Sequence, residues 1–393
     1  MKPAADVTAN RLSALDRMRG FVMILMITDH ASSSFNAHRP WKDSVHFFDP
    51  AEYPTTVEFL FRWMSHLCAP TFVFLAGTSL AISIQRRLDR GVDHRAIDKD
   101  LLIRGLMIFA VEILVIGWLY PDFLLFQVMY AIGLSMIAMI VLRRLNPAVL
   151  VGAAVVILAG YEAVFLDRGM VPVDPMTAGR IVNAMLLSAG MMPTSLQDVD
   201  AFKAVFVAYP VIPWLAIMLL GWGFGRLLCR WDGAPDRDRR AARLLMLSGV
   251  VSLILFAVVR GANGYGNLSL PRLDGSVMEW LRVSKYPPSL SYVALELGCM
   301  ALLLSCFFRL QLFAKWAPGP KSVLLVFGQT AFFFYVLHIP ALDLAARALG
   351  MHKAAGLTAA VVASLIGLVV LYPLCRVYRQ LKRAHPKSIL RYW

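Results

Sequence analysis

Apolar and polar residues fall along this chain in blocks. Stretches of about 20 apolar residues recur from one end to the other, separated by short basic segments. At about 1.5 Å per residue each stretch can cross a hydrocarbon core about 30 Å thick. The pattern predicts ten membrane helices, at 19–36, 57–84, 101–120, 123–142, 147–165, 204–228, 244–259, 288–308, 322–340 and 355–375. The expected fold class is all-α, a polytopic membrane helix bundle in which residues 1–393 form a single domain and about 376–393 a tail. Two segments between spans are long, 166–203 and 260–287. They mix turn signals ("MVPVDP", "RGANGYGN") with apolar stretches ("IVNAMLL"), the make-up of ordered functional covers.

Composition agrees with the pattern. The 393 residues are 59% hydrophobic and 16% charged, and the mean hydropathy of +0.63 lies outside the range of soluble domains. With the N-terminus in the cytoplasm, the segments on that side hold 27 of the 39 Lys and Arg, so the positive-inside rule places both termini there. The net charge of +14 sits in short loops between spans and reads as contact with lipid headgroups, which excludes nucleic-acid binding. Cys68, Cys229, Cys299, Cys306 and Cys375 lie in or beside apolar spans without ligand spacing, as packing residues, with no disulfide framework and no metal site expected. The first span has the basic start of a cleaved signal, but Asp29 and His30 interrupt its apolar core and nine further spans need no leader, so a retained helix is expected.

The candidate chemistry lies in the charged residues inside these spans. The first helix starts at the capping-box pattern Ser13–Asp16 and runs through "DRMRGFVMILMITDH". Eleven residues separate Arg19 from His30, a climb of about 16 Å that returns to the same helix face. Arg17 and Arg19, with the positive end of the helix dipole, suit the phosphates of a long substrate, while His30 meets its reactive tip and handles a proton. An ionisable group at that depth is functional by default; the alternative is a histidine hydrogen-bonded between helices. Asp29 either holds the His30 ring or, because neighbours on a helix point about 100° apart, serves another helix. In the second span Glu58, Arg62 and His66 form an i, i+4, i+8 stripe that brings His66 to the depth of His30, and a Glu58–Arg62 pair can also be purely structural. Gly77, Thr78 and Ser79 below it allow close helix contact or a narrow channel. Glu112, Gln127, Glu296, Gln329 and His338 add up to a polar cavity. Lys285 and Tyr286 in "KYPPSL", together with Trp280, are candidates for an acceptor site, while the prolines there read as a rigid helix start and Pro210 and Pro213 as a kink in the sixth span.

The blocks "RLSALDRMRGFVMILMITDH", "RWMSHLCAPTFVFLAGTSL", "YPVIPWLAIMLLGWGFGR", "KYPPSLSYVALELG" and "FFFYVLHIP" together resemble bacterial relatives of heparan-α-glucosaminide N-acetyltransferase. Arg19 and His30 also resemble the Arg-x10-His pattern of the membrane acyltransferase-3 proteins, in which the histidine is catalytic. The resemblance implies an enzyme of the bacterial inner membrane. It would take acetyl-CoA from the cytosol as co-substrate, use no metal, and acetylate an amine or hydroxyl of an extracytoplasmic glycan or amino sugar; a homodimer is allowed. On that reading His30, Asp29 and His66 do the chemistry, and Arg17, Arg19, Arg62, Gly77 and Ser79 contact the acyl donor. Lys285, Tyr286, Tyr335 and His338 then face the acceptor. In the lysosomal enzyme an asparagine stands in the place of His30 and the catalytic histidine comes later, which makes His38 the rival base. Two other function classes remain open. Midplane ionisable residues and proline-broken helices also mark transporters, although no two related halves are visible here, and a sensor or scaffold is the third.

Overall fold

The computed structural model describes residues 12–39, 55–119, 123–167, 178–193, 204–312, 319, 321–385 and 388. In chain order its helices are α1 (Ser13–Phe35), α2 (Thr56–Trp63), α3 (Cys68–Leu88), α4 (His94–Val111), α5 (Val128–Leu142), α6 (Pro147–Asp167), α7 (Ala178–Asn183), α8 (Val211–Arg230), α9 (Arg237–Ala262), α10 (Val277–Leu281), α11 (Leu290–Gln311), α12 (Val323–Gln329), α13 (Ala331–Ala348) and α14 (Leu357–Ala384). The all-α bundle is as expected. Seven described helical stretches are long and apolar enough to cross a membrane: 56–88, 147–164, 211–230, 237–262, 290–311, 331–348 and 357–384. By that measure α1 falls short, because Asp16, Arg17, Arg19, Asp29 and a serine run lie within it, and α5 is only 15 residues long. The outer faces of α9 and α14 carry exposed Leu247, Val251, Ile254, Val258, Val362, Ile366 and Val369, the surface that lipid requires.

Several boundaries differ from the hydropathy reading: α4 and α9 begin well before 101 and 244, and α14 runs on to Ala384, into the expected tail. The apolar runs at 123 and 204 begin as short strands, β1 (Phe123–Phe126) and β3 (Ala204–Val207), which join β2 (Gly190–Pro193) in a sheet of order β1-β3-β2. β1 and β3 are parallel, β2 and β3 antiparallel. Hydropathy alone cannot separate a short apolar strand from the first turns of a helix. Pro210 is the N-cap of α8 and Pro213 lies in its first turn, so these prolines start a helix instead of kinking one. The ninth expected span is two helices, broken at Thr330, and α13 runs on to Ala348.

The bundle is organised around α1, which packs against α3, α11, α12, α13 and α14, while α8 pairs with α3 and α6, and α9 with α11. Where α1 crosses α12 the backbones nearly touch. A Cβ on Gly20 would overlap the Leu324 carbonyl, and one on Gly328 the Asp16 carbonyl, so glycine is required at both. The Ser13–Asp16 capping box does not form. Gln311 of α11 caps α1 instead, its Oε1 accepting from Ala14 N at 2.6 Å and from the Ser13 hydroxyl. The long connection after α9 is tied to the fully buried guanidinium of Arg260. It donates to the carbonyls of Leu270 (2.8 Å), Glu279 (2.7 Å) and Arg282 (2.6 Å) and to Asn267 Oδ1 (3.1 Å). Ser289 then caps α11, accepting from Tyr292 N at 3.0 Å.

Candidate active site

Two cavities lie along α1. The one at its C-terminal half has a volume of about 390 Å³ and is lined by Asp29, His30, Arg39, Arg62, Ser65, Gln127, Tyr209, Lys285, Tyr286 and Tyr335, with Leu125 and Phe206 of the sheet forming part of the wall. The other, about 290 Å³, lies at the N-terminal half and is lined by Asp16, Arg19, Ser79, Arg104, Gln329 and Lys382, together with residues 330–333, the break before α13 and its first turn. The cavities abut: Phe72, Val128 and Tyr335 line both. Arg19 and His30 thus belong to one seam, one at each cavity, as their spacing on the helix predicts.

A chain of hydrogen bonds fixes His30. Its Nδ1 lies 2.6 Å from Nε2 of His338, the two rings stack at 4.9 Å, and His338 Nδ1 lies 2.9 Å from the Phe334 carbonyl oxygen. A carbonyl only accepts, so His338 Nδ1 carries a proton and, in the neutral ring, Nε2 is an acceptor. The proton between the rings therefore sits on His30 Nδ1, and His30 Nε2 keeps its lone pair. Among the described residues that nitrogen has no hydrogen-bond partner, and the His30 ring lines the cavity with the Tyr335 ring edge-on at 6.4 Å. The arrangement presents a base or nucleophile of defined tautomer.

Asp29 serves other segments rather than His30. Arg39 Nη2 donates to both of its oxygens, at 3.0 and 3.1 Å, and Arg62 Nη1 donates to Oδ2 at 2.6 Å and to Ser65 Oγ at 3.2 Å. All three side chains are buried. Asp29 is the clasp that holds the end of α2 and the chain after α1 around the cavity. Glu58 does not pair with Arg62. It closes a capping box with Thr55, whose N and hydroxyl it accepts at 3.3 and 2.9 Å.

Several expected site residues lie elsewhere. His66 falls in a 3-10 turn, residues 64–67, where the chain rotates about 120° per residue in place of about 100°. The stripe is broken there, and the buried His66 ring packs edge-on against Tyr292 at 5.9 Å, outside both cavities. His38 is exposed beyond the end of α1, its backbone N bonded to Asn36 Oδ1 at 3.1 Å, and lines neither cavity. Arg62 lies at the His30 cavity and so is remote from any donor site at Arg19. Arg17 is buried over the Phe307 ring at 5.7 Å, in the contact of α1 with α11. Gly77 lets α3 approach the Met218 carbonyl of α8, and Thr78 Oγ1 donates to Phe74 O and Gly221 O, both at 3.0 Å; these two are packing residues. Ser79 does meet Arg19, accepting from its Nη2. His338 lies behind His30, fully buried, instead of on an acceptor surface. Trp280 is half-buried between Arg272 (4.3 Å) and Phe256 of α9 (6.4 Å) and lines neither cavity. Lys285, Tyr286 and Tyr335 do line the His30 cavity.

Arg39, Arg104, Lys382 and Tyr209 were not singled out in the sequence. Arg39 and Lys382 read as ordinary loop and tail cations, and nothing local marks them as companions of Asp29 or Arg19.

Residues 11–260 match the family model for heparan-alpha-glucosaminide N-acetyltransferase, catalytic. The chain belongs to this family. The match covers α1 through α9, and with it most of both cavities; it ends before Lys285, Tyr335 and His338. No curated protein matches the chain. Membership implies a membrane acetyltransferase, in agreement with the seven apolar helices, and acetyl-CoA as co-substrate is a general property of the family.

Proposed function

We propose that the protein is an integral-membrane acetyl-CoA-dependent acyltransferase of the bacterial inner membrane that acetylates an amine or hydroxyl of an extracytoplasmic glycan or amino sugar, with His30 as the base. The observation that carries this reading is the seam of two abutting cavities, with cations at one end and the bare Nε2 of His30 at the other. Arg19, Arg104 and Lys382 at the cytosolic end hold the donor phosphates, aided by the positive end of the α13 dipole at residues 330–333. The pantetheine arm passes between Phe72, Val128 and Tyr335, and the thioester meets the acceptor beside His30. His30 Nε2 takes the proton of the acceptor amine or hydroxyl, whose lone pair attacks the thioester carbon. The C–S bond breaks, and the proton passes to the leaving thiolate. A two-step route through acetyl-His30 uses the same nitrogen.

The test is His30→Ala in purified protein. Acetyl transfer and acetyl-CoA hydrolysis should fall by two orders of magnitude or more while acetyl-CoA still raises the melting temperature. Wild-type turnover in this variant sinks the assignment. One feature favours a second reading, a transporter: the break between α12 and α13 faces a cavity, as discontinuous helices do at transport sites. Uptake of a labelled amino sugar into vesicles without acetyl transfer would establish that reading instead.

A further inference from the structure

The His30 cavity is electrostatically unbalanced. Among the described residues three cations line it, Arg39, Arg62 and Lys285, and one carboxylate, Asp29, which both arginines engage. Lys285 is left over. The residue is 4% exposed, and its Nζ lies 5.2 Å from the centroid of the Tyr286 ring. Among the described residues it makes no side-chain hydrogen bond or ion pair. The buried carboxyls of Asp29 and Glu296 act on it electrostatically, but neither is at ion-pair distance. A buried ammonium without a hydrogen-bonded counter-ion is costly, and proteins keep one where a ligand supplies it.

The backbone holds Lys285 in place. Residues 284–289 form a tight loop in which Ser289 N donates to Ser284 O at 2.9 Å and Ser284 Oγ to Pro287 O at 2.9 Å, with a backbone bridge between Lys285 and Pro288. The Tyr286 ring is fixed edge-on to Tyr209 at 5.3 Å. The ammonium, the Tyr286 and Tyr209 rings and His30 all line one chamber, so an anion bound to Lys285 brings the rest of its molecule beside His30.

Resting on the acyltransferase reading above, we propose that the acceptor is a sugar bearing an anionic substituent, a carboxylate or a phosphate, which Lys285 neutralises with help from Arg39 while the sugar ring lies against Tyr286. The charge selects the acceptor, and the anion orients the amine or hydroxyl toward His30. Neutral sugars leave the ammonium unpaired and bind more weakly.

The full-length protein in detergent tests this without any transfer reaction. Glucosamine 6-phosphate, 2-amino-2-deoxyglucuronic acid and glucosamine serve as probes, with affinity read by titration calorimetry in the absence of acetyl-CoA. At least one of the acidic sugars should bind about tenfold or more tighter than glucosamine, and Lys285→Met should abolish the difference. Lys285→Arg should retain much of it. Which acidic sugar wins separates a phosphate-bearing acceptor from a uronate. The melting temperature of Lys285→Met in anion-free buffer should not fall, because a buried unpaired charge has been removed; a fall combined with lost binding in Lys285→Arg would mean a structural lysine and overturn the proposal. So would equal affinity for glucosamine and both acidic sugars, or an unchanged preference in Lys285→Met. In turnover assays the same substitution should raise KM for the acidic sugar, whereas an equal loss of kcat with every acceptor would make Lys285 an oxyanion donor and refute the selectivity role. If the binding preference holds but no acceptor is acetylated, the anion site stands and the acyltransferase reading falls.

Discussion

His30 and His338, 308 residues apart in the chain, share one proton across 2.6 Å, and the Phe334 carbonyl behind them decides on which ring it rests. This gives a cavity-facing base without a carboxylate partner, since the adjacent Asp29 is committed to two arginines.

His338 is a positioning residue. His338→Phe keeps the ring volume but removes the acceptor for His30 Nδ1–H, so His30 is free to adopt the other tautomer. The rate of acetyl transfer should fall about 10²- to 10⁴-fold with acetyl-CoA affinity unchanged. In the wild type, turnover should decline as pH is lowered and His30 Nε2 becomes protonated. In His338→Phe that acid limb should move along the pH axis, whereas a merely structural loss lowers the whole pH–rate curve at an unchanged midpoint.

Asp29→Asn removes the charge that two buried guanidiniums share. Breaking a buried ion pair in this way costs about 3–5 kcal/mol. The variant should unfold at a clearly lower temperature in detergent, with Asp29→Glu intermediate. A melting temperature equal to wild type would show that Arg39 and Arg62 do not depend on this carboxylate.

Gly328→Ala places a methyl group into the Asp16 carbonyl of α1, where backbone and not a flexible side chain must give way. The α1–α12 contact should open, with loss of stability and of Arg19-end ligand binding. Gly152→Ala in α6, which meets nothing within 4 Å, should be neutral or slightly stabilising through helix propensity. The two substitutions compared in one melting series separate close packing from a general intolerance of alanine.

Arg19→Ala should raise the dissociation constant for acetyl-CoA about tenfold. Arg19 also contacts Asp16 at 2.8 Å and Ser79, so Lys382→Ala, at the rim of the same cavity, provides the control. It should weaken the donor too, by a smaller factor that shrinks further at high salt. Unchanged donor affinity in both variants would move the phosphates away from this cavity.

What was legible in the sequence is what depends on local order. Hydrophobic stretches announce membrane helices because lipid tolerates little else, and the eleven-residue step from Arg19 to His30 survives because α1 is a regular helix whose period is fixed by its backbone hydrogen bonds. The stripe from Glu58 to His66 failed for the same reason in reverse: a single 3-10 turn changes the period, and nothing in "MSHL" announces it. The broken span at Thr330 and the strands ahead of α5 and α8 were hidden by apolar runs that look alike as helix or strand.

The sequence by itself determined the class of the protein, its family and the two ends of the seam on α1, since each of these rests on composition, motif or a short-range period. Tertiary structure alone decided the partners. Asp29 could have served His30 and instead holds Arg39 and Arg62, His338 came from the far end of the chain to set the tautomer of His30, and Lys285 was left in the cavity without a hydrogen-bonded counter-ion among the described residues. Such pairings depend on which helices pack side by side and at what rotation, a property of the whole bundle that no local stretch of residues encodes.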